Sequence, residues 1–166
     1  DPQSFAFTGT ASGSISDGQQ ITVNNLQPGT YTSTETVLSG WDLTSISCND
    51  TNSSGNVNTK TASFQLDPGE TVICVFTNTK QGTIIVEKQT TPDGDPQNFS
   101  FTGDVAGSIA DNGQLVIMRA SGTYTSTETA LSGWQLTSIV CDDANSSGDV
   151  SNRTASFRVR SEEHTS

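Results

Sequence analysis

The chain has 166 residues, of which 31% are hydrophobic and 15% charged, with a formal net charge of −11 and a sequence pI near 4.1. That balance excludes a nucleic-acid surface, which needs clustered Lys and Arg to release counterions, and it disfavours an anionic membrane face. The rest of the composition is dominated by 25 Thr, 23 Ser and 15 Gly, a bias that suits disorder, yet apolar/polar alternation, two Trp and seven Phe argue for folded strands. No run of about 18 apolar residues exists, so no membrane span is expected. The sequence opens in mid-pattern at Asp1-Pro2-Gln3 without a signal segment, and the expectation is that a natural N-terminus has been lost.

An internal repeat organises the chain. Asp1-Pro2-Gln3-Ser4-Phe5-Ala6-Phe7-Thr8-Gly9 returns as Asp95-Pro96-Gln97-Asn98-Phe99-Ser100-Phe101-Thr102-Gly103. Tyr31 to Leu66 returns as Tyr124 to Val159 with 25 of 36 positions identical. The offset is 94 early and 93 late, so one residue is deleted between, near Gln27-Pro28-Gly29. Such a period is too long for a solenoid turn and suits a small sandwich. The domains are therefore drawn as repeat one over residues 1–80 and repeat two over residues 81–159, joined near Lys80-Gln81-Gly82.

In module order, the predicted strands are Thr83–Lys88, Phe99–Thr102, Gln114–Met118, Thr123–Thr129, Trp134–Cys141 and Thr154–Val159, and then a last strand seen only in repeat one, Glu70–Thr79. Turn signals separate them, among them Asp17-Gly18, Asn112-Gly113, Pro28-Gly29, Ser39-Gly40, Asp67-Pro68-Gly69 and Asp93-Gly94. Short alternating strands punctuated in this way predict an all-β fold of tandem immunoglobulin-like, seven-strand sandwiches. Phe5, Phe7, Trp41, Phe76 and their repeat-two counterparts are the expected core. Repeat one lacks a counterpart of Thr83–Lys88, and repeat two lacks a counterpart of Glu70–Thr79. The segment Thr83–Lys88 is expected to stay within repeat two, the alternative being donation of that strand to another chain.

The tail Arg160-Ser161-Glu162-Glu163-His164-Thr165-Ser166 departs from the repeat. It is also what the codons AGA TCG GAA GAG CAC ACG TCT encode, which resembles a common short-read sequencing adapter. Residues 160–166 are accordingly set aside as a sequencing artefact, an expectation that a different nucleotide sequence there would overturn.

His164 in that tail is the only histidine, so neither a Ser-His-Asp nor a Cys-His catalytic arrangement can be assembled. A Cys/His zinc site and a glycine-rich phosphate loop are equally absent from the pattern. No enzyme activity and no cofactor are expected. The three cysteines make sense through the repeat: Cys48 lies in the fifth strand, Cys74 in the last, and Cys141 is the counterpart of Cys48. A Cys48–Cys74 bridge would close a loop of roughly 27 residues, worth about 3.5 kcal/mol in the chain-entropy model. It implies an oxidising, extracellular setting; the alternative is a pair of buried free thiols. Cys141, whose expected partner lies beyond the truncation, is expected to be unpaired or to find a cysteine supplied by another chain.

Asp50-Thr51-Asn52-Ser53-Ser54-Gly55 and Asp143-Ala144-Asn145-Ser146-Ser147-Gly148 fit the first half of a calcium loop, with Asp50, Asn52, Ser54, Asp143, Asn145 and Ser147 at the ligand positions. The twelfth position, where a bidentate Glu is needed, holds Thr61 and Thr154, and the same residue types form plain turns. Five N-glycosylation sequons, at Asn49, Asn52, Asn98, Asn145 and Asn152, are what chance gives in so Ser- and Thr-rich a chain.

Gly29-Thr30-Tyr31-Thr32-Ser33-Thr34-Glu35-Thr36, Ser39-Gly40-Trp41 and Val75-Phe76-Thr77-Asn78-Thr79-Lys80 together resemble the prealbumin-like repeats of bacterial surface proteins, which are similar to the collagen-adhesin B-type, SpaA-like modules of Gram-positive pili. The resemblance covers residues 1–159. It implies a structural repeat of a surface fibre, stalk or pilus-like filament, with other copies or modules of the same protein as partners. A second reading is an adhesin module that binds a glycan or protein surface ligand through loops at the sandwich tip. Some family members form a Lys–Asn isopeptide bond assisted by a Glu. By resemblance, Lys88 matches the lysine, Glu35 and Glu128 the acid, and Asn78 the asparagine. Strand parity agrees, since Ile84, Val86 and Lys88 share one face, Tyr31, Ser33 and Glu35 another, and Val72, Cys74, Phe76 and Asn78 a third.

Overall fold

The computed structural model describes residues 2–160, and the adapter-like tail beyond Arg160 lies outside the described residues. The chain forms two compact units, Asp1–Thr79 and Lys80 onward, each built from strands alone among the described residues.

Unit 1 contains β1 (Ser4–Gly9), β2 (Gly13–Ser16), β3 (Gly29–Glu35), β4 (Trp41–Cys48), β5 (Ser54–Asn56), β6 (Thr61–Leu66) and β7 (Cys74–Lys80). One sheet runs β2-β1-β3-β6-β5, and β4 pairs with β7 in a second. Unit 2 contains β8 (Gly82–Glu87), β9 (Phe99–Gly103), β10 (Gly107–Ile109), β11 (Gln114–Arg119), β12 (Gly122–Glu128), β13 (Ser147–Asp149) and β14 (Thr154–Val159). Its larger sheet, β10-β9-β12-β14-β13, repeats the order of unit 1, while its second sheet pairs β8 with β11.

The period of two sorts residues between core and solvent. On β3 the inward set is Tyr31, Ser33 and Glu35, with the last two buried, and β12 repeats it with Tyr124, Ser126 and Glu128. On β7, Val75 is 55% exposed while Cys74, Phe76 and Asn78 turn inward. Phe7 packs edge-on against Phe76 at 4.9 Å, and Phe5 against Trp41 at 5.3 Å. Unit 2 repeats the second contact, Phe99 against Trp134 at 5.3 Å. Phe7 and Phe99 are buried; Phe5, Trp41, Phe76, Phe101 and Trp134 are half-buried. Ile84 is buried and Val86 half-buried, and β8 pairs with β11 over Gly82–Glu87 and Gln114–Arg119, so this strand serves its own unit.

Two expected strands need correction, and the first, Glu70–Thr79, is shortened to β7, Cys74–Lys80. Trp134–Cys141 is not a strand, although its counterpart Trp41–Cys48 is β4 and six of the eight residues are identical. The reason is the partner: β4 is held by β7, and the described part of unit 2 has no counterpart of β7. The converse holds in unit 1, where Gln20–Asn25, the counterpart of β11, is irregular, the described part of unit 1 having no counterpart of β8 to pair with it. A strand needs a neighbour to accept its ladder bonds.

Glycines fix where strands bend. Gly9 and Gly103 adopt φ of 106° and 103°, and a Cβ on either would lie 2.6 Å or 2.9 Å from the carbonyl oxygen of Thr32 or Thr125. Just past each bend a buried serine of the neighbouring strand in the sheet, β3 or β12, closes the turn, Ser33 donating to the Ala11 carbonyl and Ser126 to the Val105 carbonyl, both at 2.7 Å.

Candidate functional site

The most unusual feature of each unit is a glutamate in the core at the end of the third or twelfth strand. Glu35 is 4% exposed and Glu128 6%. Burying an ionisable group is costly unless it is paired and hydrogen-bonded, and the two units answer that requirement with different partners.

In unit 2 the partner is Lys88, just beyond β8 and 9% exposed, whose Nζ donates to Glu128 Oε2 at 2.7 Å. The same ammonium stands 4.1 Å from the centroid of the Phe99 ring, so an aromatic face and a carboxylate hold it together. Main-chain bonds fix the lysine: its N–H donates to Gly113 at 3.1 Å and its carbonyl accepts from Asn112 at 2.7 Å. In unit 1 the partner is Asn78 of β7, whose Nδ2 donates to Glu35 Oε2 at 2.9 Å. Lys88 and Glu128 are thus brought together, as are Glu35 and Asn78.

Sequence reasoning missed a further member. Arg153 Nη1 lies 3.8 Å from Glu128 Oε1, its side chain 31% exposed. Its carbonyl accepts the Glu128 N–H at 2.9 Å, and Lys60, its counterpart in unit 1, does the same for Glu35 at 2.9 Å. Both basic residues have left-handed φ, 57° and 58°. The one signal available was a cation at corresponding positions of the two repeats, Val57-Asn58-Thr59-Lys60 and Val150-Ser151-Asn152-Arg153.

Cys48 and Cys74 form a disulfide between β4 and β7, 26 residues apart in sequence. Asn49 reinforces it, accepting from Ile73 N–H through Oδ1 at 2.9 Å and donating its own N–H to the Ile73 carbonyl at 3.0 Å. Cys141 is free and half-buried; burial, then the charges of Asp143 and Asp142, push its thiol above the ordinary range.

The calcium-loop candidates do other work. Asp50 accepts from the Ser53 N–H at 3.2 Å and from its hydroxyl at 2.8 Å, Asn52 donates toward Asp67 at 3.4 Å, and Ser54 opens β5. Asp143 accepts from Ser146 N–H at 3.0 Å, Asn145 accepts from Arg160 at 2.8 Å, and Ser147 opens β13. These are turn and edge-strand bonds, and among the described residues no cluster of three or more His, Cys, Asp or Glu gathers.

Two all-β units whose larger sheets share one strand order, each with a buried glutamate at the end of its central strand, define a tandem array of prealbumin-like modules. The family model of the prealbumin-like fold domain, of SpaA type, matches residues 1–80 and again 84–165, and the chain belongs to that family. No curated protein and no solved structure matches it. Domains of this type are repeat modules of pili and other bacterial surface proteins, structural or adhesive in role. No helix among the described residues is long and apolar enough to cross a membrane.

Proposed function

We propose that this chain is a length of an extracellular surface fibre or stalk, in which each module bears tension and is closed by covalent cross-links. The observation that carries the reading is the pair of partial sites around corresponding glutamates, Lys88–Glu128 at 2.7 Å and Asn78–Glu35 at 2.9 Å. Corresponding positions in one module would bring a lysine, a glutamate and an asparagine to a single buried point. That set can exchange an amide: the lysine ammonium first yields a proton to glutamate, its freed Nζ attacks asparagine Cγ, the Nζ–Cγ bond forms, the Cγ–Nδ2 bond breaks, and the asparagine nitrogen leaves as ammonia. Glutamate passes its proton to the leaving nitrogen and takes up the second proton of the attacking amine, so that it ends protonated.

The disulfide supports the same reading, because bonds of this kind persist in oxidising surroundings. It also ties β7, the last strand of unit 1, to β4. The partners would be further modules of the same protein.

Single-molecule extension of the chain tests this. Two separate force peaks are expected, with refolding on relaxation. Reducing the disulfide should lengthen the extension of unit 1 by about 90 Å, the contour of the 26-residue loop at roughly 3.5 Å per residue. Units that yield without a resolvable peak would rule out a load-bearing role.

A further inference from the structure

We propose that the solvent face of the β8–β11 ribbon in unit 2 is a lateral docking surface for a second copy of this chain, seated with its strands reversed. The register sets the face: Ile85 stands opposite Val116, Thr83 opposite Met118 and Glu87 opposite Gln114, while Ile84 and Val86 turn inward. Ile85 is 50% exposed, Val116 57% and Met118 43%. Large apolar side chains adjacent on one face form a patch, and patches mark interaction sites where single exposed residues do not. Repeat one supplies the comparison. Its counterpart of β11 is Gln20–Asn25, and the inward positions keep their character, Ile21 for Leu115 and Val23 for Ile117. The other positions do not: Thr22 stands where unit 2 has Val116, Asn24 where it has Met118, and Asn25 where it has Arg119. A core needs only the inward set, so the apolar residues on the outward face of unit 2 are not explained by its own packing.

The charges at the two ends of the ribbon identify the occupant. Glu87 lies on the outward face at one end, its carboxylate accepting from Gln89 at 2.6 Å and Gln114 at 3.2 Å. Arg119 lies at the other end, opposite Gly82, exposed and donating to the Met118 carbonyl at 2.9 Å. Anion and cation are about 17 Å apart at roughly 3.3 Å per residue. A two-fold axis running across the strands, between two such faces, lays one ribbon on another with strand directions opposed. Ile85 and Val116, near the middle, then meet their own counterparts, and each Glu87 comes to the Arg119 of the second copy. A partner of one charge sign would suit one end and be repelled at the other, whereas a second copy suits both. The ribbon is only two strands wide and six residues long, so a single pair buries well below the roughly 1,200 Å² of a stable complex. The contact is accordingly weak between two chains. In a fibre it would bundle neighbouring chains through repetition, but the contact itself does not rest on that reading.

The test is sedimentation equilibrium of the full chain in a Cys141→Ser background, which removes the free thiol and with it disulfide-linked dimers. Physiological ionic strength, with a Debye length of about 8 Å, screens the general repulsion between chains of net charge −11. The parent should pass from monomer toward dimer as its concentration rises to about 1 mM, the affinity range of a small interface. Val116→Thr with Met118→Asn gives unit 2 the residues of repeat one at those positions. It should weaken association at least about tenfold, two apolar side chains being lost from the contact. E87R and R119E should each lose self-association to a similar degree, because like charges then meet at both ends. Mixed in equal amounts they should pair with each other, and the E87R/R119E chain should pair with itself, both near the parent's strength. Circular dichroism shows which variants are folded, and the apolar and charge variants decide the matter independently. A parent that stays monomeric at every concentration overturns the proposal and gives the face to a different occupant. Association that survives V116T/M118N, or E87R and R119E chains that each self-associate as the parent does, overturns it as well. None of these results bears on the cross-linking reading, which stands or falls on its own.

Discussion

Lys88 Nζ donates to Glu128 Oε2 across 2.7 Å between two side chains that are 11% and 7% exposed, and Phe99 closes the other side of the ammonium at 4.1 Å. Deleting one partner of a buried pair leaves an uncompensated charge, usually at a cost of roughly 3–5 kcal/mol, whereas replacing both by apolar groups is often close to neutral. K88M should therefore destabilise unit 2 by about 3 kcal/mol, the low end of that range because Arg153 remains nearby. K88M/E128M should recover most of the loss. Urea midpoints read at Trp134 decide it, and a K88M cost equal to that of the double variant would show that the two residues do not act as a pair.

The site and most of the fold were legible because strand parity is a local property. Ile84, Val86 and Lys88 are buried or half-buried as their alternation requires, and so are Ser33 with Glu35 and Phe76 with Asn78. Whether a segment forms a strand is not local. Trp41–Cys48 and Trp134–Cys141 carry nearly the same residues, and only the one with a neighbour is a strand. The short edge strands β5 and β13 escaped for another reason: Ser54–Asn56 and Ser147–Asp149 read Ser-Gly-Asn and Ser-Gly-Asp, turn chemistry with no apolar face. Lys60 and Arg153 were invisible because a cation before a strand is ordinary until its carbonyl and φ are known.

The same neighbour effect separates two glycine substitutions. A Cβ on Gly55 would lie 2.3 Å from Ile46 Cβ, and one on Gly148 would lie 2.4 Å from Ile139 Cβ. Ile46 belongs to β4, which β7 and the disulfide hold in place, while Ile139 belongs to the irregular 134–141 segment. G55A should cost about 2–3 kcal/mol, in the range of an overpacked core. G148A should cost clearly less, since Ile139 can move away. Equal losses in thermal or urea unfolding would mean that the 134–141 segment is as firmly held as β4.

Supplying the absent neighbour should restore both structure and chemistry. The designed change is to replace everything after Val159 by a copy of residues 67–80, which follow Leu66 in repeat one. The added strand should pair with 134–141 as β7 pairs with β4, and bring an asparagine to Glu128 and a cysteine to Cys141. Strand content should rise, the free thiol should disappear, and the intact mass should fall by one ammonia as Lys88 acylates. E128Q should abolish the ammonia loss while leaving the disulfide. A folded, oxidised protein with no loss of ammonia would defeat the isopeptide reading and leave the disulfide as the only cross-link.

Asp111 knits the approach to β9. Its carboxylate accepts the N–H groups of Thr90 and Gly94, both at 2.7 Å, and the Asn112 side-chain amide at 3.1 Å. The Gly94 N–H chiefly holds the carboxyl below its usual range, with Thr90 and Asp93 acting in the same direction and desolvation opposing them. A carboxyl whose folded pKa is depressed stabilises the fold above its unfolded pKa, about 3.9 for Asp, and loses that contribution as pH falls through the folded value. Asp149, held down by Ser151 and Asn152, adds to the same limb. D111N should therefore lower the urea midpoint of unit 2 near neutrality, because an amide accepts those N–H groups less strongly than a carboxylate does. The gap between D111N and the parent should narrow below about pH 4 and close as Asp111 itself takes up a proton. The D111N/D149N chain should show a flatter acid limb than either single variant. A D111N deficit that stays constant from neutral to strongly acid pH would show that Asp111 acts through packing of the loop and not through its charge.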